Sequence, residues 1–202
     1  MKNCLVIGRT NVGKTLFVIN FASFLGLKNL SFTFLNSQGQ KYNKVYSVDL
    51  AKKHLTSSKL HRTRSLQSVT IQFPVGKGRK KFILTDTTGL EDGIHREESI
   101  RKAMAQTLAA FQYADLIIHL LDISSINKSG YLESLDLIDR QLIEYGREKK
   151  NYIVLANKMD LPEAPDLLEK INGQISGVPV FPISSLTREG FSEVKSYVWR
   201  NI

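Results

Sequence analysis

Eight residues near the start of the chain, Gly8-Arg9-Thr10-Asn11-Val12-Gly13-Lys14-Thr15, restrict the fold more than any other segment. They follow the apolar run Cys4-Leu5-Val6-Ile7, which reads as a buried strand. They precede Leu16–Leu25, where Leu16, Phe17, Ile19, Phe21, Phe24 and Leu25 suit a helix packed on a sheet. The two glycines let the backbone curl between strand and helix so that several N–H groups point inward. A helix N-terminus at the same place adds its dipole, and the corner favours an anion. The pattern G-x-x-x-x-G-K-[ST] is complete: Lys14 would bring a positive charge to the β- and γ-phosphates of a nucleotide, and Thr15 a hydroxyl to Mg²⁺.

The remainder alternates in the same way. Apolar runs at Cys4–Ile7, Val69–Phe73, Phe82–Leu84, Leu116–Leu121, Ile153–Ala156 and Val178–Phe181 read as strands. Helical patterns lie at Lys14–Leu25, Glu97–Phe111, Tyr131–Glu148, Pro165–Ile171 and Gly190–Arg200. An α/β fold follows: helices crossing over a mostly parallel sheet in three layers, with one antiparallel edge hairpin where Val69–Phe73 and Phe82–Leu84 are joined by the flexible basic tip Pro74–Lys81. A length of 202 residues suits one domain spanning 1–202. The single cysteine, Cys4, excludes an internal disulfide and reads as a small core residue. No apolar run approaches the length of a transmembrane helix, and the N-terminus enters a strand without a signal peptide, so a cytoplasmic protein is expected.

In such sheets ligands bind beyond the carboxyl ends of the strands. Three further motifs fall there. Asp86-Thr87-Thr88-Gly89 follows the strand Phe82–Leu84; Asp86 can support Mg²⁺ and the Gly89 N–H can reach a γ-phosphate. Asn157-Lys158-Met159-Asp160 ends the strand over Tyr152–Ala156. A carboxylate such as Asp160 accepts the paired N–H donors of guanine, which adenine lacks. Asn157 would brace the loops and the Lys158 stem would lie over the base. Ser184-Ser185-Leu186 follows Val178–Phe181, placing a backbone N–H, that of Ser185, at the guanine O6.

With these motifs in this order the chain resembles the P-loop GTPases of the Ras-like fold. It is most similar to the bacterial Era, MnmE and Der group, on the wording Gly8-Arg9-Thr10-Asn11-Val12-Gly13-Lys14, Asp86-Thr87-Thr88-Gly89-Leu90 and Ser184-Ser185-Leu186-Thr187-Arg188-Glu189-Gly190. The resemblance implies GTP and GDP as ligands and Mg²⁺ as cofactor. Val12, Gly13 and the neighbouring amides from Asn11 to Thr15 would cradle the phosphates, and Thr15, Thr63 and Asp86 would hold the metal. Thr63 is implied as the switch threonine because Thr63-Arg64 precedes a strand as in that group; Thr56 and Thr70 are rivals. Lys14, Thr63, Gly89 and Asn11 are the implied catalytic set. Ras-type enzymes carry a water-orienting glutamine where this chain has Leu90, which can neither donate nor accept a hydrogen bond. In MnmE-like members the asparagine at the Asn11 position helps hold K⁺ beside the phosphates, which implies K⁺-stimulated hydrolysis; the alternative is that Asn11 only braces the loop. Glu97 and Glu98 would orient a water or form the acidic first turn of a helix.

The chain departs from that group in a long segment, about 26–62, between the first helix and Thr63. It also ends soon after Trp199 without an appended domain of the Era or Der kind, which leaves a stand-alone GTPase or a domain of a longer protein. Of the net charge of +9, Gly26–Lys81 carries +11, with Asp49 its single acid, and the rest sums to −2. Within this basic insertion in the first switch region, Ser31-Phe32-Thr33-Phe34-Leu35 reads as a strand and Val48–Leu55 as a short helix. Lys41, Lys44, Lys52, Lys53, Lys59, Arg62 and Arg64, together with Lys77, Arg79, Lys80 and Lys81 of the hairpin, would form one positive surface beside the switch if they meet. RNA or the ribosome is the partner that such a surface suits, Tyr42, Tyr46, Phe32 and Phe34 offering stacking faces; a solvated basic face, an acidic protein and a membrane surface are the alternatives. The function expected is therefore a GTPase switch acting on RNA or ribosome assembly. A regulatory GTPase with a protein partner, or a nucleotide binder with very slow hydrolysis, remains open beside it.

Overall fold

A computed structural model describes residues 1–36, 38–56, 66–75, 78–90, 98–126 and 135–202. Among these residues, eight strands make one sheet: β1 (Lys2–Ile7), β2 (Asn29–Leu35), β3 (Lys41–Ser47), β4 (Leu66–Val75), β5 (Gly78–Asp86), β6 (Leu116–Asp122), β7 (Tyr152–Asn157) and β8 (Val180–Pro182). Their order is β3-β2-β4-β5-β1-β6-β7-β8. From β5 to β8 every pairing is parallel; β4–β5, β2–β4 and β2–β3 are antiparallel. Six helices accompany them: α1 (Lys14–Phe24), α2 (Val48–Leu55), α3 (Glu98–Tyr113), α4 (Leu137–Arg147), α5 (Ala164–Ile171) and α6 (Phe191–Asn201). The expected fold class is the one observed, but the β4–β5 hairpin is not at the edge, because β2 and β3 extend the sheet beyond it.

Alternation along β1 explains the layers. Cys4 and Val6 face the core under α1, α2 and α6, while Leu5 and Ile7 face the core under α4 and α5. β6 and β7 are buried at every position, as a strand covered on both faces must be. Toward the antiparallel edge the second face turns polar: Thr33 bonds Asn43, Ser68 bonds Thr85, and Thr85 donates to Asn3.

The hairpin is more regular than expected. Pro74 pairs with Arg79 and Val75 with Gly78, so Arg79, Lys80 and Lys81 stand in a strand rather than in a flexible tip. Residues 76 and 77, including Lys77, lie outside the described residues. The segment after α1 contributes more than the one strand and short helix expected of it. β2 and α2 form as expected, and Lys41–Ser47 adds an eighth strand along the sheet edge. Lys41 to Val45 are all exposed, so no apolar alternation marked that strand. The helix expected from Tyr131 begins at Leu137, where the Asp136 side chain caps it by accepting the Ile138 N–H.

Strand direction sorts the basic residues. β5 runs parallel to β1, so its Gly78 end lies opposite the end where Ile7 leads into the glycine-rich turn. Arg79 and Asp86 are seven residues apart, about 23 Å along a strand. By contrast, Leu35 pairs with Leu66, next to the Gln67–Asp86 pair, so the β2–β3 turn lies at the same end as the motif loops. There Gln106 of α3 donates to the Asn36 carbonyl at 3.1 Å. Among the described residues, Arg79, Lys80 and Lys81 therefore do not join Lys41 and Lys44 in one surface beside the site.

Candidate functional site

The loops after β1, β5, β7 and β8 converge at the carboxyl end of the sheet, where β1 lies between β5 and β6 and the chain order reverses. Gly8–Thr15 turns from β1 into α1. Gly8, Asn11 and Gly13 all take positive φ, at 139°, 65° and 98°. Asparagine is among the few residues other than glycine that enter this region at modest cost. A Cβ on Gly13 would stand 2.6 Å from Asn157 Nδ2, so this glycine is required by a neighbour as well as by its backbone angle.

Lys14 is buried beneath the turn. Its Nζ donates to the carbonyls of Gly8 at 3.0 Å and Arg9 at 2.6 Å. Burial lowers the Lys14 ammonium to about 8, although Asp86 and Asp139 pull it upward. Arg9 reaches sideways to Asp136 at 3.1 Å, the residue that caps α4.

Asp86 ends β5 and is fully buried. Its Oδ2 accepts from Thr15 Oγ1 at 2.6 Å and from Gln67 Nε2 at 2.5 Å. Its Oδ1 is buried with no hydrogen-bond partner among the described residues. Burial raises the Asp86 carboxyl, and the Thr15 bond, the charge of Lys14, the Gln67 bond and the Thr87 amide oppose that rise. An orphaned carboxylate oxygen beside a threonine hydroxyl suits a hard cation with oxygen ligands, so the residues present fit Mg²⁺. Thr63, expected to complete this set, lies outside the described residues, with Lys59, His61, Arg62 and Arg64. Its rivals are placed: Thr56 donates its hydroxyl to Lys52 O at the end of α2, and Thr70 is an exposed mid-strand residue of β4.

Gly89 touches the glycine-rich turn directly. A Cβ there would meet the Thr10 backbone at 2.6–2.7 Å, and the next residue, Leu90, donates its N–H to Gly8 O at 3.2 Å. The Leu90 side chain packs into the apolar cluster with Leu5, Ile7 and Leu121. Thr88 ties the same motif to α3 through Thr107 and the Ala103 carbonyl. Glu98 opens α3 and pairs with Lys102 at 2.8 Å, as an acidic first turn does; Glu97 lies outside the described residues.

On the other side of the turn, Asn157 joins two loops. Its Nδ2 donates to Val12 O at 2.7 Å and its Oδ1 accepts from Ser185 N at 2.8 Å. The Ser185 amide, expected to meet guanine O6, is thus donated to Asn157. Lys158 takes φ 71°, and its Nζ is held by Asp122 Oδ2 at the end of β6. Asp160 accepts from Ser184 Oγ at 2.6 Å, and that hydroxyl in turn accepts the N–H groups of Leu186 and Thr187. Asn20, buried on α1, donates to Ser185 O at 2.7 Å. Sequence reasoning missed Asn20, Gln67 and Asp122, because each acts across strands or helices rather than within a motif.

Comparison with known proteins places the chain among GTPases. The family described as 50S ribosome-binding GTPase matches residues 43–158. GTPase Obg of Alkaliphilus oremlandii (strain OhILAs) is 34% identical over 125 residues, 60% of this chain and 28% of its own length. GTPase Obg of Heliobacterium modesticaldum is 32% identical over 126 residues, 61% of this chain and 28% of its own. The chain thus spans little more than a quarter of the curated relatives it matches. Era in complex with MgGDPNP and nucleotides 1506–1542 of 16S ribosomal RNA superposes with a TM-score of 0.65 at 19% identity, over 99% of this chain and 56% of that one. The FeoB G-domain from Methanococcus jannaschii superposes with a TM-score of 0.53 at 22% identity, over 100% and 98%. At such identities the structural likeness is one of fold.

Proposed function

The chain belongs to the 50S ribosome-binding GTPase family, and from that membership we propose that it binds GTP and GDP and hydrolyses GTP as a molecular switch, within a single domain over 1–202. The observation that carries this reading is Asn157, which joins the phosphate turn at Val12 to the Ser185 loop and so sets the phosphate and base subsites in one frame. The amides of Asn11 to Thr15 cradle the phosphates with Lys14, and Asp160 selects guanine, with Lys158 along the base and Ser184–Leu186 beyond it. Thr15, Thr63 and Asp86 would hold Mg²⁺, which when bound would supply charge neutralisation at the phosphates. Water attacks the γ-phosphorus, the bond to the β–γ bridging oxygen breaks, and GDP and phosphate leave. Gly89, packed on Thr10, couples the γ-phosphate to α3.

Leu90 faces the core and cannot orient that water, so unaided turnover is slow. K⁺ held through Asn11 is the proposed substitute, supported by the exposed position of Asn11 on the turn; equal turnover in K⁺ and Na⁺ would leave Asn11 with its backbone role alone. The basic segment after α1 supports RNA or ribosomal RNA as the target in a cytoplasmic setting; among the described residues no helix is long and apolar enough to cross a membrane. A protein partner in place of RNA is the second reading, favoured by the smaller positive surface left beside the site once Arg79, Lys80 and Lys81 lie at the other end of the sheet.

A displacement titration with fluorescent GDP tests the site. GTP and GDP should compete and ATP should not. Asp160→Asn should cost guanine selectivity by at least ~100-fold, since it puts an N–H donor in place of one of the two oxygens that would accept from guanine. Unchanged selectivity would refute the assignment.

A further inference from the structure

Gln67 belongs to no motif, yet it sits on the residue expected to serve the metal. It lies directly across from Asp86 in the β4–β5 register and is almost wholly buried. Its amide donates to Asp86 Oδ2, the oxygen that also receives the Thr15 hydroxyl. Two donors from different directions on one oxygen fix the plane of the carboxylate. They leave Oδ1, buried and without a partner among the described residues, as the one acceptor still to be satisfied. Leaving such an atom unmet is costly, so the site is built for something that meets it.

We propose that Gln67 is a positioning residue for the divalent cation: it turns Asp86 so that Oδ1 faces the Mg²⁺ of a bound nucleotide. The inference rests on the Mg²⁺–guanine nucleotide reading of the site. A neutral amide suits the task. It donates at any pH, adds no charge beside a buried carboxylate, and its length spans two paired strands. Gln67 also stands close after residues 57–65, the segment that carries the candidate switch threonine. The strand that this segment enters is thereby tied to the metal aspartate. Outer partners of metal-binding groups commonly contribute 10–100-fold to metal affinity.

The test is the release of fluorescent GDP at stepped free Mg²⁺. For the unaltered protein, release should slow as Mg²⁺ rises through a defined midpoint. In Gln67→Met, which keeps the volume and removes the donor, the midpoint should rise about 10–100-fold while GDP affinity in EDTA stays the same. Gln67→Asn keeps a donor on a shorter stem and should restore part of the shift. It also serves as the probe if Gln67→Met does not fold. Equal midpoints in the variants and the unaltered protein, or a matching loss of GDP affinity in EDTA, would overturn the role. An unaltered protein that binds no GDP, or releases it without regard to Mg²⁺, would overturn instead the reading on which the role rests.

Discussion

Lys14 shows what one residue can and cannot reveal from the sequence. Its place in the glycine-rich pattern gives the expectation of a phosphate partner, but not its state without one. That state follows from burial: the ammonium is 6% exposed, held by two carbonyls and lowered from 10.5 to about 8. The unfolded chain keeps the proton up to the ordinary value. Between those limits the unfolded state binds more protons, so the free protein gains stability as pH rises, by about 3 kcal/mol from this group. Phosphate binding has the opposite requirement, since it needs the proton in place. GDP affinity should therefore be about tenfold weaker at pH 9 than at pH 7, with a flat profile in Lys14→Met; isothermal titration across that range measures it. The residues that sequence patterns leave unmarked are of another kind. Asn20, Gln67 and Asp122 are common polar types at unremarked positions, and only the atoms they face give them roles.

Helix and strand types were legible because burial imposes a period on them, and the boundaries were set by local chemistry. α4 starts where Asp136 can cap it, and it meets β7 close to its end, at Gly146. That junction depends on Gly146. A Cβ there would stand 2.7 Å from Tyr152 Cγ, in a ring that is fully buried. The ring is also fixed at its far end: Tyr152 Oη lies 2.6 Å from His119 Nδ1, and His119 Nε2 lies 3.0 Å from Asp139 Oδ1 on α4. Gly146→Ala should destabilise by about 1–3 kcal/mol through overpacking, despite the better helix propensity of alanine. Gly173→Ala meets open space and should change stability by no more than about 0.5 kcal/mol. Denaturant midpoints of the two variants make the comparison. β3 was illegible for the converse reason. An edge strand exposed from Lys41 to Val45 carries no burial pattern, and its pairing with β2 is made by backbone groups that every residue possesses.

Across the whole molecule, the strand directions separate what the sequence brings together. The cations of Gly26–Lys81 form one run in the chain, yet β5 carries Arg79, Lys80 and Lys81 to the end of the sheet away from the nucleotide loops. Lys80 is engaged there. Its Nζ lies 4.7 Å from the Trp199 ring centre and donates to the carbonyls of Trp199 and Ile202. Lys80→Ala should lower stability by about 1 kcal/mol and leave RNA affinity unchanged. Lys41 and Lys44 are exposed on β3. Replacing either with Ala should reduce the slope of RNA affinity against salt by about one unit, as filter binding over a salt series would show. The sequence by itself determined the glycine-rich turn, the order of the motifs and the alternation that makes an α/β sheet. Each of these is a local matter of a few residues next to a strand end. Only the tertiary structure decided that Asn157 spans Val12, 145 residues away, and Ser185, 28 residues away. It alone set Gln67 opposite Asp86 and sent the basic hairpin to the far end. Such pairings depend on strand register and direction, which are fixed by the burial of the whole core rather than by any segment within it.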